Sequence, residues 1–279
     1  MPIAFPPIAR AALAERRLYK LRSLADQTQC ERARDIVLGH RLWFSRLSEL
    51  NDPLEGKPVY VLGDWNSAQY RQHFAEWAWR SQQQLASPPP CEAFVSWFLA
   101  QPRETHEQYV ATISEENQVA IDAKWRVLSL SATVTNAKMW SLYADDDRGI
   151  SLVFDASAGD LALAYQVEYL PECRSLDISS TDLPGVLVAT LFSKLTSWQH
   201  EQEFRCIAPD PWEAGALHLD GQFLRFPPAQ LLGIVFGSRM TPQNKLLVHG
   251  WATEREAPLA FWQATTAING SVAVTRCAP

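Results

Sequence analysis

The stretch WRVLSLSATVTNAKMWSLYADDDRGISLVFD, residues 125–155, reads as strand, short helix, strand. Its strands are residues 125–131 and 149–154, and the helix is 137–143. Upstream, RLYKLR at 17–22 alternates apolar and basic residues, which predicts a first strand with Tyr19 and Leu21 on one face and Lys20 and Arg22 on the other. Asp26 is placed to cap a helix through about Leu38 that Gly39 closes, and residues 41–45 predict a second strand running into the turn Asn51-Asp52-Pro53. Between about 67 and 122 the composition shifts to Gln, Glu, Ala and Trp, broken by Ser87-Pro88-Pro89-Pro90, and predicts two or three helices. Downstream come a strand at 164–169, a helix at 186–198, a strand at 203–208 and a hairpin about Asp220-Gly221 within 216–226. A strand at 231–236, a helix from Thr241-Pro242 to about Glu254 and strands at 260–265 and 271–275 finish the chain. Strands and helices fall in blocks rather than alternating, which predicts an α+β fold with a largely antiparallel mixed sheet. We read one domain over 17–279 with a helical insertion at about 67–122, preceded by an N-terminal arm at 1–16.

The composition is that of a folded protein: of 279 residues, 47% are hydrophobic and 20% charged, with only 12 Gly and 18 Pro. The net charge of −6 argues against a general nucleic-acid binder and against an anionic membrane surface, both of which recruit clustered Lys and Arg. No apolar run approaches the ~20 residues that span a bilayer. Pro6-Pro7 breaks what would be the apolar part of a signal peptide. Five scattered cysteines predict reduced thiols and a cytoplasmic location. The chain has no Gly-rich phosphate loop, Gly-x-Ser-x-Gly elbow or His-Glu-x-x-His helix, and its six histidines are isolated, so no metal site is predicted.

The most concentrated polar signal is KLTSWQHEQEFR, residues 194–205. If the chain is extended from Glu201 onward, Glu201, Glu203 and Arg205 share one face, with carboxylates about 7 Å apart. Such a pair suits carboxylate chemistry at an anomeric carbon; the ordinary alternative is a solvated Glu–Arg face. Ser129, Ser131 and Thr133 form a hydroxyl row that lines either a ligand cleft or an ordinary exposed face. Trp140 and Tyr143 read most simply as core, and Asp145-Asp146-Asp147 as a solvated loop, because consecutive side chains do not converge easily on one ion. Lys20 and Arg22 supply either the phosphate side of a cleft or a basic strand face.

Four landmarks occur in order: LYKLRSL (18–24), LWFSRLSELNDPLEG (42–56), LSATVTNAKMWSLYADDDRGISLVFD (130–155) and KLTSWQHEQEFR (194–205). Together they resemble the bacterial domain-of-unknown-function family 2971, with its Asn-Asp-Pro turn, Met-Trp-x-x-Tyr-Ala helix and Trp-x-x-Glu-x-Glu-x-Arg segment. The chain departs from that pattern at Leu21, Leu142 and His200. More distantly, the layout resembles the ADP-ribosyltransferase fold, with Lys20 or Arg22 as the first element, Ser129, Ser131 or Tyr143 as the second, and Glu203 with Glu201 as the third.

That resemblance implies an NAD-consuming transferase, an intracellular toxin or phage-defence effector acting on an unidentified macromolecule. Lys20 and Arg22 would hold the pyrophosphate, while Ser129, Ser131, Tyr143 and Trp140 would border the nicotinamide riboside. Glu203 would stabilise an oxocarbenium-like transition state and Glu201 would activate the acceptor. The alternative is a non-catalytic sensor module that binds a nucleotide-like small molecule or a protein. In that case Trp77, Trp79 and Trp97 are either interface anchors or packing between insertion and sheet.

Overall fold

The computed structural model describes residues 17–84, 87–180, 183–210, 217 and 219–277. The N-terminal arm and residues 216 and 218 of the predicted hairpin lie outside these residues. In chain order the elements are β1 (Arg17–Arg22), α1 (Gln27–Gly39), β2 (Arg41–Trp43), β3 (Val59–Val61), α2 (Ala68–Ser81), α3 (Cys91–Leu99), α4 (Arg103–Lys124) and β4 (Trp125–Ser131). Next come α5 (Ala137–Tyr143), β5 (Ile150–Asp155), β6 (Tyr165–Gln166), β7 (Glu168–Leu170), β8 (Ser175–Asp177), α6 (Leu183–Leu191) and β9 (Ser193–Leu195). A 3-10 segment, Thr196–Glu201, leads into β10 (Glu203–Pro209), β11 (Leu219–Asp220), β12 (Phe223–Arg225), β13 (Leu231–Phe236), α7 (Pro242–Thr253), β14 (Ala260–Thr266) and β15 (Val272–Arg276). Among the described residues no helix is long and apolar enough to cross a membrane, and Cys30, Cys91, Cys173, Cys206 and Cys277 are free thiols.

Among the described residues, eight strands form the main sheet in the order β15-β14-β13-β5-β1-β4-β10-β6, and β13 with β14 is its one parallel pair. The molecule is therefore mixed α and β around a large, mainly antiparallel sheet. One face carries Leu18, Leu152, Phe154, Leu128 and Phe204 under α1 and α7, which contribute Ile36, Val37, Val248 and Trp251. The opposite face has two separate apolar clusters. Leu21, Val153 and Val235 pack under Met139 and Trp140 of α5, while Trp125 and Val127 pack against Leu191 and Phe192. Strand alternation dictates this split: Trp125, Val127, Ser129 and Ser131 share one side of β4, so its apolar half gives way to a polar half. β1 pairs with β5 at six positions but with β4 at one, Tyr19 opposite Ser131, so β1 and β4 part beside that polar half.

Local signals account for most elements. Asp26 Oδ1 accepts the Gln29 amide at 2.8 Å to start α1, and the Thr241 side chain caps α7 ahead of Pro242. The left-handed residue closing α1 is His40 (φ 52°), not Gly39, which stays helical. The predicted helix over 186–198 ends at Leu191. Its carbonyl is taken by Arg205 Nη1 at 2.7 Å, and Ser193–Leu195 pair with β7 as β9, so tertiary hydrogen bonds override helical spacing. The predicted strand over 164–169 is two short strands serving different neighbours, and β2 joins β12 in a small separate sheet. The insertion is three helices with its own core about Phe74, Val95, Phe98 and Val110. Trp77 stacks on Phe74 inside that core rather than on the sheet, Trp79 donates to Pro89 O at 3.0 Å, and Trp97 remains 57% exposed.

After α5 the chain makes three successive left-handed residues, Asp145, Asp146 and Asp147 (φ 51°, 49° and 67°), a conformation that aspartate tolerates better than most side chains. Their carboxylates diverge. Asp146 accepts from Ser141 Oγ at 2.6 Å, Asp147 from Thr266 Oγ1 at 3.0 Å and Asp145 from Arg148 Nε at 3.2 Å, so the loop is tied down rather than simply solvated. Gly149 closes it because a Cβ there would lie 2.2 Å from Arg22 O.

Candidate functional site

β10 runs antiparallel to β4, with Glu203 opposite Ser131 and Arg205 opposite Ser129, which puts all four side chains on the polar half of the sheet. Glu201 does not continue that strand. It ends the 3-10 segment, and Gln202 follows in a left-handed conformation (φ 42°), so Glu201 reaches the same face by a turn instead of by strand alternation. Ser131 Oγ fixes the turn by donating to Glu201 O at 2.6 Å. Lys194 on β9 projects its ammonium between the carboxylates, 2.7 Å from Glu201 Oε2, 3.3 Å from Glu203 Oε2 and 3.5 Å from Glu55 Oε2. Arg205 grips Glu203 with Nε and Nη2 at 2.7 and 2.9 Å and sets Nη1 2.8 Å from Glu55 Oε1. Tyr143 at the end of α5 donates to Glu201 Oε1 at 2.5 Å, and Tyr169 on β7 accepts the Glu203 amide at 2.8 Å. None of the five charged side chains is more than 5% exposed.

Charges this deep are tolerated because each faces its opposite. Burial would raise the Glu203 carboxyl, but Arg205 and then Lys194 overcome it and hold the group at about 2. Burial likewise pulls Lys194 down, yet the Glu203, Glu55 and Glu201 carboxylates leave it above its ordinary value. Arg205 is raised against the same penalty by Glu203 and Glu55. Burial and the Glu201 charge raise the Tyr143 phenol, so it keeps its proton and remains a donor, while burial pushes Tyr169 up to about 12.

Lys20 lies where β1 and β4 part, its ammonium donating to Ser129 O at 2.6 Å. Burial and then Arg22 lower it to about 7, with partial compensation from Glu203 and Glu201. Its folded value lies below the ordinary 10.5, so the unfolded chain binds the extra proton between about pH 7 and 10.5 and stability rises with pH across that window. Replacing Lys20 with Met should flatten that rise between pH 7 and 10. Urea midpoints of the two proteins at matched pH measure it, and parallel pH curves would remove Lys20 as its source.

The other candidate residues are placed as follows. Arg22 is half-buried on the α1 side, lowered to about 10 by desolvation and Arg32, and its Nε has no hydrogen-bond partner. Ser129 turns toward the Glu203–Arg205 pair. Trp140 is wholly buried and donates its indole N–H to Val134 O at 2.8 Å, so it presents no surface to a ligand. Among the described residues no group of His, Cys, Asp and Glu is arranged to hold a metal ion.

Lys20, Ser129, Ser131, Tyr143, Glu201 and Glu203 of the predicted set thus gather at one seam, while Arg22 and Trp140 do not join them. Sequence reasoning missed Glu55, Lys194 and Tyr169. The first two were visible as charged residues within NDPLEG and KLTSWQHEQEFR, parts of the second and fourth landmark segments, and all four landmarks converge here. No protein-family model matches the chain, and neither a curated protein nor a solved structure is significantly similar to it.

Proposed function

We propose that this chain is an ADP-ribosyltransferase-like enzyme of the domain-of-unknown-function family 2971 type, which takes NAD⁺ as substrate and transfers ADP-ribose to an acceptor macromolecule. The observation that carries this reading is the convergence, where β1 and β4 part, of a half-buried lysine, a hydroxyl row, a tyrosine and two carboxylates. Lys20, half-buried with its ammonium at the seam, suits the pyrophosphate, whereas Arg22 lies on the α1 side and is left out of that role. The two carboxylates take different parts. Glu203, gripped by Arg205, is a fixed negative charge that favours cation development at the ribose carbon as the nicotinamide bond breaks. Glu201, held by Tyr143 and Lys194, is the carboxylate suited to accept the acceptor's proton.

Nicotinamide release from NAD⁺, followed by chromatography with protein, RNA and small-molecule acceptors, tests the reading. Glu201→Gln preserves shape and should lower release at least about tenfold. No release above buffer with any acceptor would end the transferase assignment.

One observation favours a second reading, a non-catalytic nucleotide- or protein-binding sensor: both carboxylates already have internal cationic partners. Such a module would be stabilised by its ligand without forming product.

A further inference from the structure

The position of Lys194 carries a conclusion independent of NAD chemistry. Its ammonium stands among three carboxylates, Glu201, Glu203 and Glu55, and 4.7 Å from the centroid of the Trp198 ring. Acidic groups beside an aromatic face are the surroundings that recognise an alkylammonium ion. Glu55, its side chain 1% exposed, completes the set, with Arg205 Nη1 2.8 Å from Oε1 and Lys194 Nζ 3.5 Å from Oε2. Lys194 also borders a cavity of about 20 Å³, together with Asp52, Thr190 and Ser193. That is room for one water-sized group, and an ammonium head is of that size. Asp52, 5% exposed, is an acidic residue on the cavity's border, with Oδ1 accepting the Leu54 amide at 2.9 Å.

The geometry points to a cation-binding cage made by Glu55, Glu201, Glu203 and the Trp198 ring, whose external ligand is a small primary ammonium ion and whose built-in occupant is Lys194. When such a ligand enters, the Lys194 head group swings into the adjoining cavity beside Asp52. Lys194 is thereby a tethered competitor, and the cage admits free cations well only when that competitor is removed.

Lys194→Ala deletes the three side-chain carbons beyond Cβ and the ammonium, which n-propylammonium replaces atom for atom. The variant should melt roughly 10 °C below the native protein, because three buried carboxylates lose their shared cation. Titrated n-propylammonium chloride should restore roughly half of that loss or more, saturably, while sodium chloride and 1-propanol at equal concentration do not. The native protein should need at least about tenfold more of the amine for any comparable shift. The cage is overturned if the variant gains no more from n-propylammonium than from sodium chloride, or if both proteins respond at the same concentrations. Should Lys194→Ala fail to fold, Lys194→Gln, which keeps the chain length but not the charge, is titrated instead and the same outcomes decide. Absence of nicotinamide release would sink the proposed reaction and leave this result untouched.

Discussion

Replacing Arg205 with Met is expected to lower stability by about 3–5 kcal/mol, the usual cost of leaving a buried charge without its partner. The guanidinium is wholly buried, it grips both oxygens of Glu203, and its third contact is Glu55. Methionine fills much of the volume but leaves Glu203 with Lys194 alone and removes the nearer of the two cations that balance Glu55. For a chain of this size the loss corresponds to a fall in Tm of roughly 6–20 °C. If unpaired charge is the cause, adding Glu203→Gln to Arg205→Met should recover about 1 kcal/mol or more, although Glu203→Gln alone destabilises. Calorimetry of the two single variants and the double variant decides this. A cost below about 1 kcal/mol for Arg205→Met would mean that the network adds little to the fold.

The second large effect is acid sensitivity. Glu203 is held at about 2 in the folded protein against an ordinary 4.5. A depressed carboxyl contributes stability that is fully present above its unfolded value and is lost as pH falls through the folded one. At 1.36 kcal/mol per pH unit, the native protein should lose about 3 kcal/mol through this group between pH 4.5 and 2. Denaturant midpoints over that range should therefore fall more steeply for the native protein than for Glu203→Gln. Equal slopes would show that Glu203 is not held down by Arg205 and Lys194. The proposed cage predicts a further link: Lys194→Ala removes one of the two cations acting on Glu203, so its acid transition should begin at higher pH.

Much of this protein was legible from neighbouring residues. The Asp26 and Thr241 caps, the alternation in RLYKLR and WRVLSLS, and the short helix at 137–143 depend on contacts a few residues apart, and their reading matches the structure. Where long-range bonding competed, local reading failed. Arg205 and β7 stopped α6 at Leu191, and a left-handed Gln202 took Glu201 off its strand. Trp140 reads as core from MWSLYA and is core; only the resemblance put its indole beside a ligand, and its burial under α5 removes that role.

By itself, the sequence determined the capped helices and the longer strands of the main sheet, since periodicity and capping are properties of adjacent residues. Only the tertiary structure decided which charges meet. Lys194 lies between Glu55, Glu201 and Glu203, and Arg205 between Glu203 and Glu55, because β4, β9, β10 and the turn after β2 bring distant segments within 4 Å. The strength of such contacts depends on distance and on exclusion of water, and neither is recorded in the order of the residues.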